Sequence, residues 1–293
     1  MKLNAVRIFA LINVLIVGYL FHELYQLRHP ESEKQPQSQS ATSAPEPDLD
    51  QAFADATNEE ASLQERITAL SALSLTSLSQ EQASQIAETI FKPSPNTSIL
   101  STLELRNQGA RLLLNAPASQ EQLIKSLSAI AQDPSEALPI RNQSLILLYQ
   151  LTSKNDSIAA GTKELFAQTR EELFSDRSTS LAATVIEGDA FLFERNSELV
   201  SAEELSERTL RGLRDLRSSE PVQLAALQVA TKNRITSARE DAEAIAKDNP
   251  SQSLTLAALN AAATLGSSDE FFESLSYPDS KLELVRLQAL RSK

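Results

Sequence analysis

The densest run of side chains able to do chemistry is SAEELSERTLRGLRDLRSSEP, residues 201–221. Arg208, Arg211, Arg214 and Arg217 recur at every third position, and Leu205, Leu210, Leu213 and Leu216 supply an apolar stripe. Guanidinium forks pair in bidentate fashion with carboxylates, so this strip suits docking of an acidic protein partner. A structural reading of the same run weighs more. Glu203, Glu204 and Glu207 crowd its first turns and the arginines its last ones, which complements a helix macrodipole and sets Glu204–Arg208 and Glu207–Arg211 at i,i+4. A second candidate surface is EGDAFLFERN (187–196), with Phe191 and Phe193 two residues apart. On one helix these rings cannot share a face, so either one is exposed at an interface or each buries against a different neighbour.

Other chemistry is mostly excluded. The two histidines, His22 and His29, stand beside an apolar N-terminal run, which denies the rest of the chain a histidine-based triad or metal site. No lysine has a serine three residues before it, neither phosphate-cradling glycine motif occurs, and there is no cysteine. Glu171/Glu172, Glu203/Glu204 and Asp269/Glu270 are adjacent carboxylates, but neighbours on one helix point about 100° apart and cannot face each other across a cleft. The sequence assigns no catalytic residue, cofactor, metal or small-molecule substrate. A hydrolase assembled from carboxylates of different helices is the alternative function, with nothing to say where they meet.

Charge is uneven along the chain. Residues 1–34 carry four Lys/Arg against three Glu, about +1, leaving 27 − 4 = 23 basic and 39 − 3 = 36 acidic residues, or −13, for the remainder. Such a body repels phosphate backbones, so no nucleic-acid partner is expected. The N-terminus is different in kind. IFALINVLIVGYLF, Ile8 to Phe21, holds no charge, and extension to Leu27 reaches the roughly 20 residues that span a bilayer. Residues 1–28 therefore read as an uncleaved single-pass membrane anchor, in contact with lipid through residues 8–27. Lys2 and Arg7 favour a cytoplasmic N-terminus at a cell inner membrane, with the bulk of the chain periplasmic, while Arg28 and Lys34 on the far side keep the same scaffold facing the cytoplasm as the alternative. A cleaved signal peptide is the rival, weakened because HELYQLRHP offers no small-x-small site. Residues 29–48, with four prolines and alanine as their one aliphatic type, read as a flexible tether.

The body, 49–293, reads as all-α. It combines many helix formers with few glycines, and strand-like alternation is nowhere sustained. Capping-box spacing marks helix starts at Thr57/Glu60, Ser79/Gln82, Ser119/Gln122, Ser201/Glu204, Ser237/Glu240 and Ser267/Glu270. Four helices carry one stripe at offsets 0, 4, 7 and 8: Leu105/Gly109/Leu112/Leu113, Ile140/Ser144/Leu147/Leu148, Val222/Ala226/Val229/Ala230 and Leu254/Ala258/Ala261/Ala262. The second position is small in every case. The spacing predicts a helix pair of roughly 30–40 residues, recurring five or six times from about residue 57, with the helices near 157–174 and 177–195 fitting less well.

LELRNQGARLLLN and LPIRNQSLILLYQL resemble the second helix of HEAT-type repeats, in which an Ile/Val–Arg pair precedes an aliphatic stripe, and PSQSLTLAALNAAATLG resembles it without the arginine. The resemblance covers about four-fifths of the chain. It implies an α-solenoid of stacked helix pairs that binds other proteins, and it carries no catalytic residue. The expected function is a membrane-tethered, non-catalytic interaction scaffold with a protein partner, and Arg208, Arg211, Arg214, Arg217, Phe191 and Phe193 form its candidate surface.

Overall fold

The computed structural model describes residues 48–73, 78–92, 98–114, 120–153, 159–195, 198–248 and 250–291. The anchor segment, residues 8–27, and nearly all of the tether lie outside them. Among the described residues no helix is long and apolar enough to cross a membrane.

These residues form fourteen α-helices and one 3-10 turn, with no strand among them. In order they are α1 (Leu49–Thr57), α2 (Leu63–Leu73), α3 (Gln80–Ile90), α4 (Ile99–Leu113), α5 (Gln120–Gln132), α6 (Leu138–Thr152) and α7 (Ala160–Ser175). Then come α8 (Ser180–Glu194), α9 (Ala202–Arg214), α10 (Glu220–Asn233), α11 (Arg239–Asp248), α12 (Gln252–Thr264), α13 (Asp269–Glu273) and α14 (Ser280–Arg291). Each odd helix packs against the even helix that follows it. The even helices also pack in sequence, α2 on α4, then α6, α8, α10, α12 and α14. The result is a row of seven helix pairs, an arrangement consistent with a helical solenoid. The sequence pattern alone places the first pair too late and counts fewer of them, because α1 and α13 are too short to show a stripe.

All sixteen residues of the four matched stripes are buried. They belong to α4, α6, α10 and α12, so the repeated pattern is the buried face of these even helices. Its small residue admits the neighbouring helix: a Cβ on Gly109 would sit 3.1 Å from Ile90 Cγ2. The repeated arginine has a separate task. Arg66, Arg106, Arg141 and Arg286, near the starts or middles of even helices, point their Nε or Nη groups at a main-chain carbonyl at the end of the preceding odd helix. The acceptors are Ala56 (3.3 Å), Ile90 (3.4 Å), Ala131 (2.9 Å) and Phe272 (2.9 Å). A cation there satisfies orphan carbonyls and complements the helix dipole. The RNQ stretch therefore recurs because it closes a helix pair.

Helix starts are partly as the sequence marks them. Ser79/Gln82 and Ser201/Glu204 form reciprocal capping boxes. Thr57 instead ends α1, and the box that opens α2 is Ser62/Glu65, with Ser62 N donating to Glu65 Oε2 (2.8 Å) and Glu65 N to Ser62 Oγ (3.3 Å). Ser268 rather than Ser267 caps α13, and Ser237 sits inside the 3-10 turn Thr236–Ala238. Ser119 lies outside the described residues. Spacing alone cannot separate these cases, since a side chain caps only where the backbone leaves the helix.

Candidate functional site

The poorly matching helices, α7 and α8, hold the most polar part of the interior. By burial pattern, α8 aligns its Leu181, Val185, Gly188 and Asp189 with the stripe at offsets 0, 4, 7 and 8. The small residue has moved from the second position to the third. The last position, filled elsewhere by Leu113, Leu148, Ala230 or Ala262, is a carboxylate with 0% exposure.

A buried carboxylate is unfavourable unless opposite charge and hydrogen bonds compensate it. Asp189 collects donors from three helices. Arg170 Nη1 of α7 donates to Oδ1 at 2.8 Å, Arg208 Nη1 of α9 pairs with Oδ2, and the Tyr149 hydroxyl of α6 lies 2.8 Å from Oδ1. That hydroxyl is also 3.1 Å from the Val185 carbonyl, and with one proton it favours the charged acceptor. Gly188 makes the approach possible, because a Cβ there would lie only 2.3 Å from the Tyr149 ring. Burial pushes the Tyr149 phenol well above its ordinary pKa, and the adjacent Asp189 charge pushes it the same way. Burial works against the Arg170 cation, yet Asp189 more than restores it and its pKa rises.

Arginine and aromatic faces complete the network. Arg170 lies over Phe166 (5.0 Å), and Arg177, Arg211 and Arg208 surround the ring of Phe174 (4.7, 5.0 and 5.5 Å). Stacking of this kind leaves the Nε groups of Arg170, Arg177 and Arg208 buried without a hydrogen-bond acceptor, a cost the ring quadrupole partly offsets. Outward from Asp189, Glu171 takes Arg208 Nη2 (3.2 Å) and Arg211 Nη2 (2.8 Å). Burial alone would raise the Glu171 carboxyl, but these two arginines bring it below the usual range.

The sequence run 201–221 is thus divided by burial. Arg208 belongs to the buried network and Arg211 to its half-exposed rim. Arg214 reaches Asp241 of α11 through Nη2 at 3.0 Å, and Arg217 pairs with Asp215 at 3.0 Å. The first pair bridges two helices and the second closes within the α9–α10 loop, where the sequence spacing suggests pairs along one helix. Asp215 also receives Arg177, and hydrogen bonds from Arg217 hold its carboxyl far below the carboxylate range. Phe191 and Phe193 are both half-buried against the core, Phe191 beneath the Arg195 guanidinium (4.3 Å), and neither touches the network.

An open groove of about 370 Å³ runs beside α9, lined by Arg177, Glu207, Leu210, Arg211, Arg214 and Asp215. Beyond Asp215, on the α9–α10 loop, Leu216 is 101% exposed. Among the described residues no three His, Asp or Glu side chains converge as metal ligands. Asp189 accepts from Tyr149, Arg170 and Arg208 and so ties α6, α7 and α9 to α8. Compared with protein-family models, curated proteins and solved structures, the chain matches none.

Proposed function

We propose that the chain is a non-catalytic helical-repeat scaffold. In this reading residues 8–27 tether it to a bacterial inner membrane, and the helical body on the periplasmic side holds a protein partner. The observation that carries the reading is the α9 edge, where exposed guanidinium groups stand beside the fully exposed Leu216. An isolated exposed leucine is ordinary, so the weight falls on the arginines, a residue type enriched among interface anchors. The ionic network behind it fixes α9 against α7 and α8, so the edge is presented on a rigid support. The acidic remainder of the body argues against nucleic acid as the partner.

Cross-linking in intact cells, followed by capture of the tagged chain and mass spectrometry, tests the reading. One stoichiometric partner is expected, in the compartment that a reporter fused to the C-terminus identifies as periplasmic. Recovery of the chain alone refutes the scaffold.

A further inference from the structure

We infer that the exposed face of the even helices is a second docking surface, where Glu187 of α8 receives a lysine or arginine side chain of an extended partner segment whose main chain lies along Gln228 and Asn260. The inference goes beyond the scaffold reading, since it concerns the even helices and does not depend on the α9 edge. Two contacts between helices set the register of this face. Thr184 Oγ1 of α8 donates to Asn142 Oδ1 of α6 at 2.6 Å, and Lys232 Nζ of α10 pairs with Glu194 of α8 at 2.6 Å. Thr184, Glu187, Phe191 and Glu194 follow one another at steps of three and four along α8, so all four share a face. Glu187 stands one turn beyond Thr184, as Ile146 stands one turn beyond Asn142 on α6. On the other flank, Gln228 and Leu224 stand one and two turns before Lys232 on α10.

Glu187 is therefore flanked by apolar side chains: half-buried Ile146 on α6, half-buried Leu224 on α10, and half-buried Phe191 a turn ahead on its own helix. Its side chain is exposed, yet the protein around it pushes its carboxyl above the ordinary range, and no neighbouring charge opposes that push. Among the described residues it forms no ion pair and no hydrogen bond. Lys232 is committed to Glu194, and Arg195 lies over the Phe191 ring, so neither cation serves Glu187. A carboxylate among apolar side chains lacks the counter-charge that would offset its partial desolvation. Lysine and arginine supply both halves of the complement, an aliphatic stem for the apolar walls and a cationic head for the acid. The face continues into a groove of about 190 Å³ between α10 and α12, lined by Gln228, Thr231, Lys232, Ala257 and Asn260. Each of its two exposed carboxamides can donate and accept, which is what the main chain of an extended segment requires.

The test immobilises the full-length chain in detergent and offers it pools of twelve-residue peptides, each pool sharing one fixed central residue and randomised elsewhere. The lysine and arginine pools are expected to be retained about tenfold over the glutamate, glutamine and leucine pools. Glu187→Gln keeps the shape of the side chain and should abolish most of that preference, while Glu187→Lys should shift it toward the glutamate pool. Glu203→Gln removes the same charge from exposed α9 and controls for the acidity of the whole chain; it should leave the preference within about twofold. Gln228→Ala combined with Asn260→Ala should lower retention of every pool by about threefold without changing their order, because these amides meet main chain. A thermal melt of each variant, expected to be unchanged, separates loss of docking from loss of fold. Equal retention of the lysine and leucine pools, or a preference that E187Q leaves intact or that E203Q lowers as much, overturns the assignment. Displacement of the retained lysine peptides by an equal concentration of spermidine overturns the choice of a protein segment in favour of a free polyamine.

Discussion

Asp189→Asn changes one atom and removes one charge, and its cost can be worked from the contacts. The carboxylate is fully buried and compensates Arg170 and Arg208, whose side chains are 6% and 12% exposed. With asparagine in its place two guanidinium groups face each other across a neutral amide, and the Tyr149 hydroxyl loses its stronger acceptor. Breaking a buried pair by removing one partner costs about 3–5 kcal/mol. Domains are typically stable by about 5–15 kcal/mol, so this is a large fraction of the whole. In a row of helix pairs each unit depends on its neighbours, and the loss should therefore be local. Native-state hydrogen exchange read by mass spectrometry is the assay. Protection of α6 to α9 should fall by a factor on the order of 10² to 10³, with α1 to α3 unchanged. The triple variant Asp189→Leu, Arg170→Met, Arg208→Leu restores an apolar stripe and should come within about 1 kcal/mol of the original stability. A D189N chain with unchanged protection, or with protection lost equally everywhere, would refute the reasoning.

The glycines provide a graded series. Gly188→Ala forces a methyl into the Tyr149 ring and should cost about 3 kcal/mol or more, while Gly212→Ala meets the flexible end of Ile186 at 2.8 Å and should cost about 1 kcal/mol. Gly161→Ala, with nothing within 4 Å of the new Cβ, should stabilise α7 by up to about 1 kcal/mol, all three read from urea midpoints. Tyr149 makes stability fall at alkaline pH. Its folded pKa is raised, so its contribution is complete below the unfolded value near pH 10 and declines as pH climbs above it. The difference in ultraviolet phenolate absorbance between the chain and Tyr149→Phe should therefore appear only together with unfolding; ionisation of Tyr149 in the intact fold contradicts this. Among the recurring arginines, Arg106→Ala should cost about 3 kcal/mol, because it also removes the cation 3.6 Å from buried Glu136. Half-buried Arg141→Ala should cost about 1 kcal/mol in the same denaturation experiment.

Much of the architecture is legible in the sequence because the buried face of the even helices imposes the same demand each time. A small residue followed by apolar ones at offsets 7 and 8 marks α4, α6, α10 and α12, and RNQ marks the arginine that reaches back to close a pair. The eighth helix escapes notice for a physical reason. Tyr149 from α6 needs room, so the small residue shifts to Gly188, and Asp189 replaces the aliphatic residue that a stripe search requires. The one available signal is that Asp, at a position where four sister helices carry leucine or alanine. Its partners cannot be inferred from spacing, because Arg170 and Arg208 stand 19 residues away on either side and Tyr149 stands 40 away. For the same reason the run 201–221 suggests pairs within one helix, whereas α9 sends its arginines to α7, α8 and α11.

The reach of these side chains also orders events as the chain is synthesised. Arg66 and Arg141 clasp a carbonyl made ten residues earlier, Arg286 one made fourteen earlier and Arg106 one made sixteen earlier, so each of these pairs can lock as soon as its second helix emerges. Asp189 cannot settle so early. Tyr149 and Arg170 precede it, but Arg208 arrives nineteen residues later, and until then a carboxylate destined for the interior has only part of its counter-charge. The counter-charge of α8 is therefore complete only once α9 has been made, whereas the arginine-clasped pairs need nothing beyond their own second helix.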